Sequence, residues 1–351
     1  MSAVIEAPIV VAATTRRSAG VWSAAARRFR SDRVGVASLV VAALFLLLVV
    51  CAALGLVAKD WQVERGVPDA PPTFMGPATR AEGIAVATPS GPNVDISAVD
   101  PLAPRYAEWA EAAKKYKTTE AARATTLPFG GDRLGRDVLA KAVKGAEISI
   151  FVGLSAAVLA TLIGTVLGAI SGYFGGKAGD FLEWVYNVFT AIPGILLIFA
   201  FAAVFGRGIG SVVLILGLAG WTGIYRLIRA EFIKHAVRDY VRSAEAIGAG
   251  DASRMFRHIL PNVSHVVLVQ LSIHVVGFIK SEVILSYLGL GVGVDQVSWG
   301  TMLAEAQSEL ILGYWWQLVA ATTFMAVFVT AFSLVTDAMR DALDPKLRGL
   351  E

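Results

Sequence analysis

The sequence predicts an all-α membrane protein that crosses the bilayer with six transmembrane helices. Two observations carry this prediction. Apolar residues make up 56% of the chain and charged residues only 17%, whereas soluble domains carry roughly 25% charged residues. The apolar residues are also gathered into blocks of about twenty, which is the length that a helix needs to cross a bilayer. Lipid is therefore the expected solvent for much of the molecule.

Six apolar blocks follow one another along the chain. The predicted spans are 34–57, 148–170, 181–205, 209–228, 263–290 and 315–336. The first follows a cluster of arginines and is longer than the roughly 7–15-residue core of a cleaved secretory signal. It is therefore expected to be an uncleaved helix whose basic end is cytoplasmic. The single cysteine, Cys51, lies in this block and excludes an intramolecular disulfide.

The charges of the short connections predict the orientation. The segment 229–262 carries six Lys or Arg residues, whereas the connection 291–314 carries acids and neither Lys nor Arg. Cytoplasmic loops are enriched in Lys and Arg, so the first segment and both termini are expected inside. Tyr314, Trp315 and Trp316 are expected to anchor the outer start of the sixth span in the headgroup region.

One connection, 58–145, is long and is expected to form a partly ordered extracytoplasmic subdomain. A disordered linker over 66–100 is the alternative, because that stretch is rich in Pro and Gly. The predicted organisation is a cytoplasmic tail 1–33, a first helix 34–57, the extracytoplasmic segment 58–145, a five-helix core 146–340 with a cytoplasmic loop 229–262, and a cytoplasmic tail 341–351.

The cytoplasmic segment 239–261 has the pattern of two short helices with a break between them. Tyr240, Ala244 and Ile247 fall on one helical face. Gly248, together with the second glycine two residues later, is expected to end the first helix. Asp251 is expected to cap the second helix, and Pro261 to end it before the fifth span. Such a knob on the inner face is suited to docking into a groove of a cytoplasmic partner.

This segment resembles the EAA loop of ABC-importer permeases. Ala244, Gly248, Leu260 and Pro261 occupy matching positions, whereas Arg242 replaces the Glu of that pattern and His258 replaces the Ile. The resemblance implies a loop that plugs into separate ATPase subunits. The residues expected to form it are Tyr240, Arg242, Ala244, Glu245, Gly248, Asp251, Arg254, Arg257, Leu260 and Pro261.

Four further segments, 127–139, 282–291, 298–303 and 340–346, resemble the C-type permeases of dipeptide and oligopeptide importers, the OppC/DppC family. The resemblance implies the six-helix fold of type I (MetI-like) ABC importer permeases. An extracytoplasmic motif of that family is expected at Asp132, Gly135, Arg136 and Asp137. From the residues alone, Leu134, Val138 and Leu139 are expected on the outer membrane surface, with Arg136 and Asp137 facing water or a partner.

Several features of the spans are also informative. Pro193 is expected to kink the third span, and Gly164, Gly168 and Gly172 to allow close helix packing. Pro193, His274 and Glu282 are candidates for the translocation pathway, because breaks in a span can line a pathway and ionisable groups within spans mark function more often than chance. A simple kink at Pro193 is the alternative. A packing role for His274 stays open. For Glu282 and Lys280, side chains that reach the outer headgroups remain an alternative.

Energy is expected to come from other polypeptides. Gly176-Lys177 lacks the remainder of a P-loop, and no hydrolase motif is present, so no enzyme activity, metal or cofactor is expected in this chain. The resemblance implies ATP and Mg²⁺ on two partner ATPase subunits, a second permease, an extracytoplasmic binding protein and a peptide substrate, and no nucleic acid. Cargo of nickel, glutathione or a peptide-like antibiotic, and an ion-coupled secondary transporter, are the alternatives. A membrane-embedded enzyme would need a catalytic set that is not recognisable here.

Overall fold

The computed structural model describes residues 21–77, 100–115 and 123–343. Three expectations therefore lie wholly or partly outside the described residues. They concern residues 1–20 of the N-terminal tail, residues 78–99 of the possible linker, and residues 344–351 with the last part of the family-like ending.

The described part of the chain is helical, with isolated β-bridges and no extended strand, which confirms the all-α fold class. The helices are α1 (Val21–Ser31), α2 (Arg33–Ala53), α3 (Tyr106–Lys115), α4 (Val138–Phe174), α5 (Gly176–Ala191), α6 (Gly194–Phe205), α7 (Ile209–Gly220), α8 (Thr222–Ala236), α9 (Asp239–Ala246), α10 (Asp251–Ser253), α11 (Leu260–Tyr287), α12 (Trp299–Ile311) and α13 (Trp316–Leu343), with a π-helical segment at Arg254–Ile259. Short 3₁₀ turns lie at Thr73–Met75 and Ala103–Arg105.

Four continuous helices are long and apolar enough to cross a membrane, and two bent helix pairs make up to six spans. The continuous ones are α2, α4, α13 and the run from Asp251 to Tyr287. The helix α4 begins at Val138, ten residues before the predicted second span, because Asp137 caps it. The Asp137 carboxylate accepts hydrogen bonds from the backbone N–H groups of Leu139 (2.8 Å) and Ala140 (3.3 Å).

The third span is broken at Pro193, as predicted. The helices α5 and α6 meet there at 91°, with Ile192 in an extended conformation. Proline excludes helical geometry at the preceding residue, which accounts for the break. The fourth span also bends, by 43° at Trp221 between α7 and α8, and this bend was not predicted. The ring of Trp221 is buried between the rings of Phe189 and Tyr225.

Glycines of α4 bring its backbone against α8, which confirms the predicted packing role. A Cβ on Gly168 would lie 2.7 Å from the carbonyl oxygen of Tyr225, and one on Gly172 would lie 2.5 Å from that of Arg229. A Cβ on Gly164 would clash with the side chain of Ile224. Any side chain at these positions would therefore separate the two helices.

Pro261 does not end a helix, contrary to the prediction. It lies in the first turn of α11, and the helical path runs unbroken from Asp251 to Tyr287. The π-helical segment Arg254–Ile259 immediately precedes it. A wider π turn removes the clash between a proline ring and the carbonyl four residues earlier, so the proline is tolerated.

The start of α13 is a packing site and not only a headgroup anchor. Trp316 is buried, and its indole Nε1 donates a hydrogen bond to the Gly131 carbonyl at 2.6 Å. The prediction that Trp316 anchors α13 in the headgroups is therefore wrong, because its polar edge is already bound by the protein. Tyr314 and Trp315 remain half-exposed.

Candidate functional site

The first candidate site is the knob, here defined as residues 239–261 between the fourth and fifth spans. Gly248 ends α9 as predicted. Its φ of +88° lies in the left-handed region, and the Ala249 N–H donates to the carbonyl of Ala244 at 3.0 Å. Glycine is the residue that adopts this conformation without strain, so the chain reverses here.

The buried face of the knob differs from the predicted one. Val241 of α9 packs with Met255 and Ile259 against α4 and α8, and Ala244 on the same helix is also buried. Tyr240 is only at the edge of this face, where its hydroxyl hydrogen-bonds to His235 Nδ1 at 2.8 Å. Of the three residues predicted to share a face, Ala244 is buried, whereas Tyr240 and Ile247 are exposed. Ile247 departs from the face because α9 ends before it.

The Asp251 side chain does not cap the second helix. Gly250 occupies the cap position, and Asp251 is the first residue of α10. Its carboxylate instead accepts from the hydroxyl of Tyr173 (2.9 Å) and from Arg254 (2.5 Å). Arg254 also reaches Glu245 at 2.9 Å and lies over the ring of Tyr173. The knob is thus tied to the end of α4 by polar contacts.

An apolar tip projects from the knob. Ile247 is 85% exposed, and Phe256 is also exposed. Arg242 and Arg257 of the same segment are exposed as well. Leu260 is half-buried and Pro261 is exposed at the start of α11. Exposed apolar side chains rimmed by charges are typical of a protein-binding surface.

The candidate pathway residues are not brought together. His274 stacks on Phe278, with ring centroids 5.2 Å apart, and its Nδ1 lies 3.3 Å from the Thr161 hydroxyl. These contacts fit the packing role that the sequence left open. Pro193 marks the break between α5 and α6.

Glu282 points into the helix bundle and not toward the headgroups. Its side chain is fully buried, and Ser286 donates to its Oε1 at 2.6 Å. Its Oε2 has no hydrogen-bond partner among the described residues. Lys280 is exposed, as the headgroup alternative expected. The two residues, only two positions apart, therefore face opposite environments.

The second candidate site is the family-like segment before α4. Asp132 is fully buried; its Oδ1 accepts from the backbone N–H groups of Leu134 (2.9 Å) and Arg136 (3.0 Å). The guanidinium of Arg136 reaches Asp132 Oδ2 at 2.6 Å. Arg136 was predicted to face water or a partner; this is wrong, because only 15% of its side chain is exposed. Val138 is buried as well, whereas Leu134 and Leu139 are exposed.

Sequence reasoning missed the residues that complete this site. Lys141 of α4 is 1% exposed; it reaches Asp132 at 2.8 Å, pairs with Glu305 of α12 and donates to Gln317 of α13 at 3.3 Å. The Lys141 cluster, here defined as Asp132, Arg136, Lys141, Glu305 and Gln317, thus joins one loop and three helices. Burial alone would raise the pKa of Asp132, but Lys141 and the hydrogen bonds from Arg136 hold it below its usual range.

Two further residues shape this region. Gly135 has a φ of +77°, and its Cα faces the carbonyl of Gly66 so closely that no Cβ fits. Glu309 of α12 accepts from the Arg133 N–H at 3.3 Å, and its Oε2 has no partner in the described chain. Burial raises the pKa of Glu309 to about 7, and neighbouring Asp132 and Glu305 contribute to that rise.

Metal binding finds no support in the described ranges, where no group of three or more His, Cys, Asp or Glu side chains could hold an ion. The two sites instead lie at opposite ends of α4. One presents an exposed knob, and the other holds a loop and two further helices together through buried charges.

Comparison with known proteins identifies the family. Residues 164–349, more than half of the chain, match the family described as the binding-protein-dependent transport system inner membrane component. The chain belongs to this family. It is 33% identical over 238 residues to the oligopeptide transport system permease protein OppC of Bacillus subtilis, over 66% of this chain and 78% of that protein. The resemblance to C-type permeases is thereby confirmed.

Two further relatives are named for other cargoes. The chain is 34% identical over 220 residues to the dipeptide transport system permease protein DppC of Bacillus subtilis, over 63% of this chain and 69% of that protein. It is 37% identical over 223 residues to the glutathione transport system permease protein GsiD of Shigella dysenteriae, over 63% of this chain and 73% of that protein. This inner-membrane family and the apolar helices make the chain a multi-pass membrane protein.

Proposed function

We propose that this chain is the translocation subunit of an ATP-driven importer that carries peptides across the bacterial inner membrane. The observation that carries the proposal is the coupling knob in a member of this permease family. The knob is packed on the spans at Val241 and Ala244 and presents Ile247 to a partner. The chain itself has no P-loop, so separate ATPase subunits bind ATP and Mg²⁺ and supply the energy.

The partners are inferred from the family and from the two sides of the membrane that the chain would face. Two ATPase subunits grip the knob of this chain and the knob of a second permease subunit. An extracytoplasmic binding protein delivers the substrate at the opposite side. The knob and the C-terminal end of α4 lie together, and six Lys or Arg residues fall in 229–262, which supports a cytoplasmic knob and cytoplasmic termini.

The proposed mechanism is alternating access. Closure of the ATPase subunits on ATP displaces the two knobs, and the spans follow. The run from Asp251 to Tyr287 carries the knob and the fifth span as one continuous helix, so a displacement at its start is passed along its length. The 91° break at Pro193 separates α5 from α6 and gives the third span a joint that the continuous helices lack.

Peptide cargo is supported by relatives named for oligopeptide, dipeptide and glutathione transport. Glutathione is the second candidate, because its named permease is the most similar of these three in identity. An ion-coupled secondary transporter has less support, since His274 packs on Phe278 and Glu282 is enclosed by serines. Neither forms part of a connected chain of ionisable groups across the described spans.

Co-purification tests the assembly. The tagged full-length chain is isolated from its native membrane in mild detergent, and the associated proteins are identified by mass spectrometry. We expect a second permease and one or two P-loop ATPases, with a binding protein whose bound ligand identifies the cargo. Recovery of the chain alone, as an active homo-oligomer that transports without ATP, would overturn the proposal.

A variant tests the role of the knob. Gly248→Pro forbids the positive φ that ends α9, whereas Gly250→Ala, two residues away, has a φ of −69° and open space at its Cβ. We expect the first change to uncouple ATP hydrolysis from transport in the assembled complex and the second to leave the fold of the knob intact. Unchanged coupling in Gly248→Pro would remove the knob from the mechanism.

A further inference from the structure

One guanidinium group joins three helices at the cytoplasmic end of the molecule. Arg254 Nη1 lies 2.9 Å from Glu245 Oε1 in the last turn of α9. Its Nη2 lies 2.5 Å from Asp251 Oδ1 at the start of α10. The Gly248–Gly250 turn separates these two carboxylates along the chain, so Arg254 bridges the turn from one side to the other.

The same group reaches the end of α4. Tyr173, the penultimate residue of that helix, donates its hydroxyl to Asp251 Oδ1 at 2.9 Å. The guanidinium carbon of Arg254 lies 5.7 Å from the centre of the Tyr173 ring, which is within the range of a cation–π contact. The Arg254 brace, here defined as Tyr173, Glu245, Asp251 and Arg254, therefore connects α9, α10 and α4.

The brace fixes the orientation of α9 more than it adds to the stability of the knob. The Glu245 and Asp251 side chains are 62% and 53% exposed, and exposed ion pairs stabilise proteins only weakly. The planar fork of a guanidinium, however, holds two acceptors at a defined angle, which an ammonium group cannot do. With only eight residues, α9 is too short to be rigid by itself, and a glycine turn follows it.

Apolar packing alone would leave the angle between α9 and α4 adjustable. Val241 and Ala244 are small contacts along one side of the helix, and they act close to its axis. Arg254 acts at the far end, beside the glycine turn, where a given rotation of α9 produces the largest displacement. Arg242, at the position of the family's Glu, is exposed and has no acidic partner in the described chain. Glu245 and Arg254 therefore supply the charge pair of this knob.

We propose that Arg254 is a positioning residue that fixes the angle between α9 and α4, so that displacement of the knob moves α4 and is not absorbed at the glycine turn. This inference rests on the proposed function of the knob. Without the brace, the ATPase subunits would still bind the apolar tip, but α9 would rotate about its buried contacts at Val241 and Ala244 before α4 moved.

The decisive experiment measures the distance between α9 and α4 in the assembled complex. Spin labels are placed at Ser243 of α9 and Val166 of α4, both exposed, in a Cys51→Ser background that removes the single cysteine. Distance distributions are recorded with and without ATP and vanadate. We expect a narrow distribution in both states for the wild type and a broadened, ATP-dependent one for Arg254→Ala.

A functional measurement accompanies it. The ratio of radiolabelled tripeptide taken up to ATP hydrolysed is measured in proteoliposomes, together with the amount of ATPase subunit that co-purifies. We expect Arg254→Ala to lower the ratio roughly tenfold, within the usual range of coupling between sites, with ATPase recovery unchanged. Arg254→Lys keeps the charge and the ring contact but not the fork, so it restores the ratio only in part.

Matched variants separate positioning from general damage. Lys234→Ala removes another exposed cytoplasmic cation that pairs with an acid, Glu231, and should behave as the wild type. Tyr173→Phe keeps the ring and loses the hydroxyl, whereas Tyr173→Leu loses both, so the second should uncouple more strongly. If Arg254→Ala does not fold, Glu245→Gln and Asp251→Asn each remove one of the two charged acceptors of the guanidinium. Each should lower the ratio of transport to ATP hydrolysis by an intermediate amount, and the two losses should not add.

The possible outcomes are distinct. An Arg254→Ala complex with wild-type distance distributions would overturn the inference. So would a loss of ATPase binding in proportion to the loss of transport, because that result would make Arg254 a docking contact. A wild-type chain that recruits no ATPase would instead overturn the proposed function, independently of the Arg254 variants.

Discussion

Replacement of Glu309 by Gln should stabilise α12 and the segment packed on it in a pH-dependent way. Glu309 of α12 is 3% exposed, and its Oε2 has no partner among the residues described. Its carboxylate would lie near those of Asp132 and Glu305, and only Lys141 and the Arg133 N–H favour the charged form. These surroundings raise the pKa of Glu309 from an ordinary 4.5 to about 7.

The sign follows from the direction of the pKa shift. A carboxyl group with a raised pKa stabilises the folded segment fully below pH 4.5, and this contribution is lost as the pH rises through 7. The difference between the two pKa values corresponds to about 3 kcal/mol at 1.36 kcal/mol per pH unit. Because the surrounding polar groups screen part of the effect even at a buried site, we expect about 2 kcal/mol. Glutamine cannot ionise, so its advantage should appear only at high pH.

Hydrogen exchange of α12 amides measures this local stability. At pH 8, after correction for intrinsic exchange rates, Glu309→Gln should slow α12 exchange roughly thirtyfold, the equivalent of about 2 kcal/mol, and at pH 5 it should change exchange little. Glu305→Gln is the matched control on the same helix. It removes a carboxylate that pairs with buried Lys141, so it should speed exchange at pH 8. Equal effects of Glu309→Gln at both pH values would refute the reasoning.

Three smaller predictions concern backbone and packing. Gly135→Ala should destabilise the segment before α4 by roughly 2 kcal/mol or more. Gly76→Ala, with nearly the same φ but open space at its Cβ, should cost about 1 kcal/mol, and thermal unfolding in detergent compares the two. Gly168→Ala should lower the unfolding temperature, because its Cβ would meet the Tyr225 carbonyl, whereas Gly223→Ala in α8 meets nothing within 4 Å and should be neutral. Trp316→Phe loses the bond to Gly131 and should cost roughly 1 kcal/mol by the same assay.

Much of the architecture could be predicted because lipid imposes a simple length and polarity rule. The apolar blocks, the break at Pro193 and the end of α9 at Gly248 each follow from a local property of a few residues. The early start of α4 also had a signal in the sequence, the cap residue Asp137, which was predicted instead to face water or a partner. Local sequence rules therefore predict the backbone correctly where a single residue type decides its conformation.

The polar clusters could not be predicted, for a different reason. Lys141 joins Asp132 to Glu305 and Gln317, which lie more than 160 positions further along the chain. No spacing rule links such residues, because their proximity depends on how α4, α12 and α13 pack. The bend at Trp221 has a similar origin: no proline marks it, and the ring of Trp221 packs there on the rings of Phe189 and Tyr225.

The distribution of contacts along α4 has a physical explanation. Between helices in lipid there is no hydrophobic driving force, so close packing and polar bonds hold them together. The middle of α4 uses close packing, with Gly164 and Gly168 against α8. Charged groups are costly in hydrocarbon, and accordingly they occur at the two ends, as Lys141 and as Arg254 beside Tyr173. With 37 residues at 1.5 Å each, α4 is roughly 55 Å long, so these ends lie beyond the hydrocarbon core of roughly 30 Å. Charged contacts therefore hold the two ends of α4, which lie near water, and close packing holds the part of the helix between them.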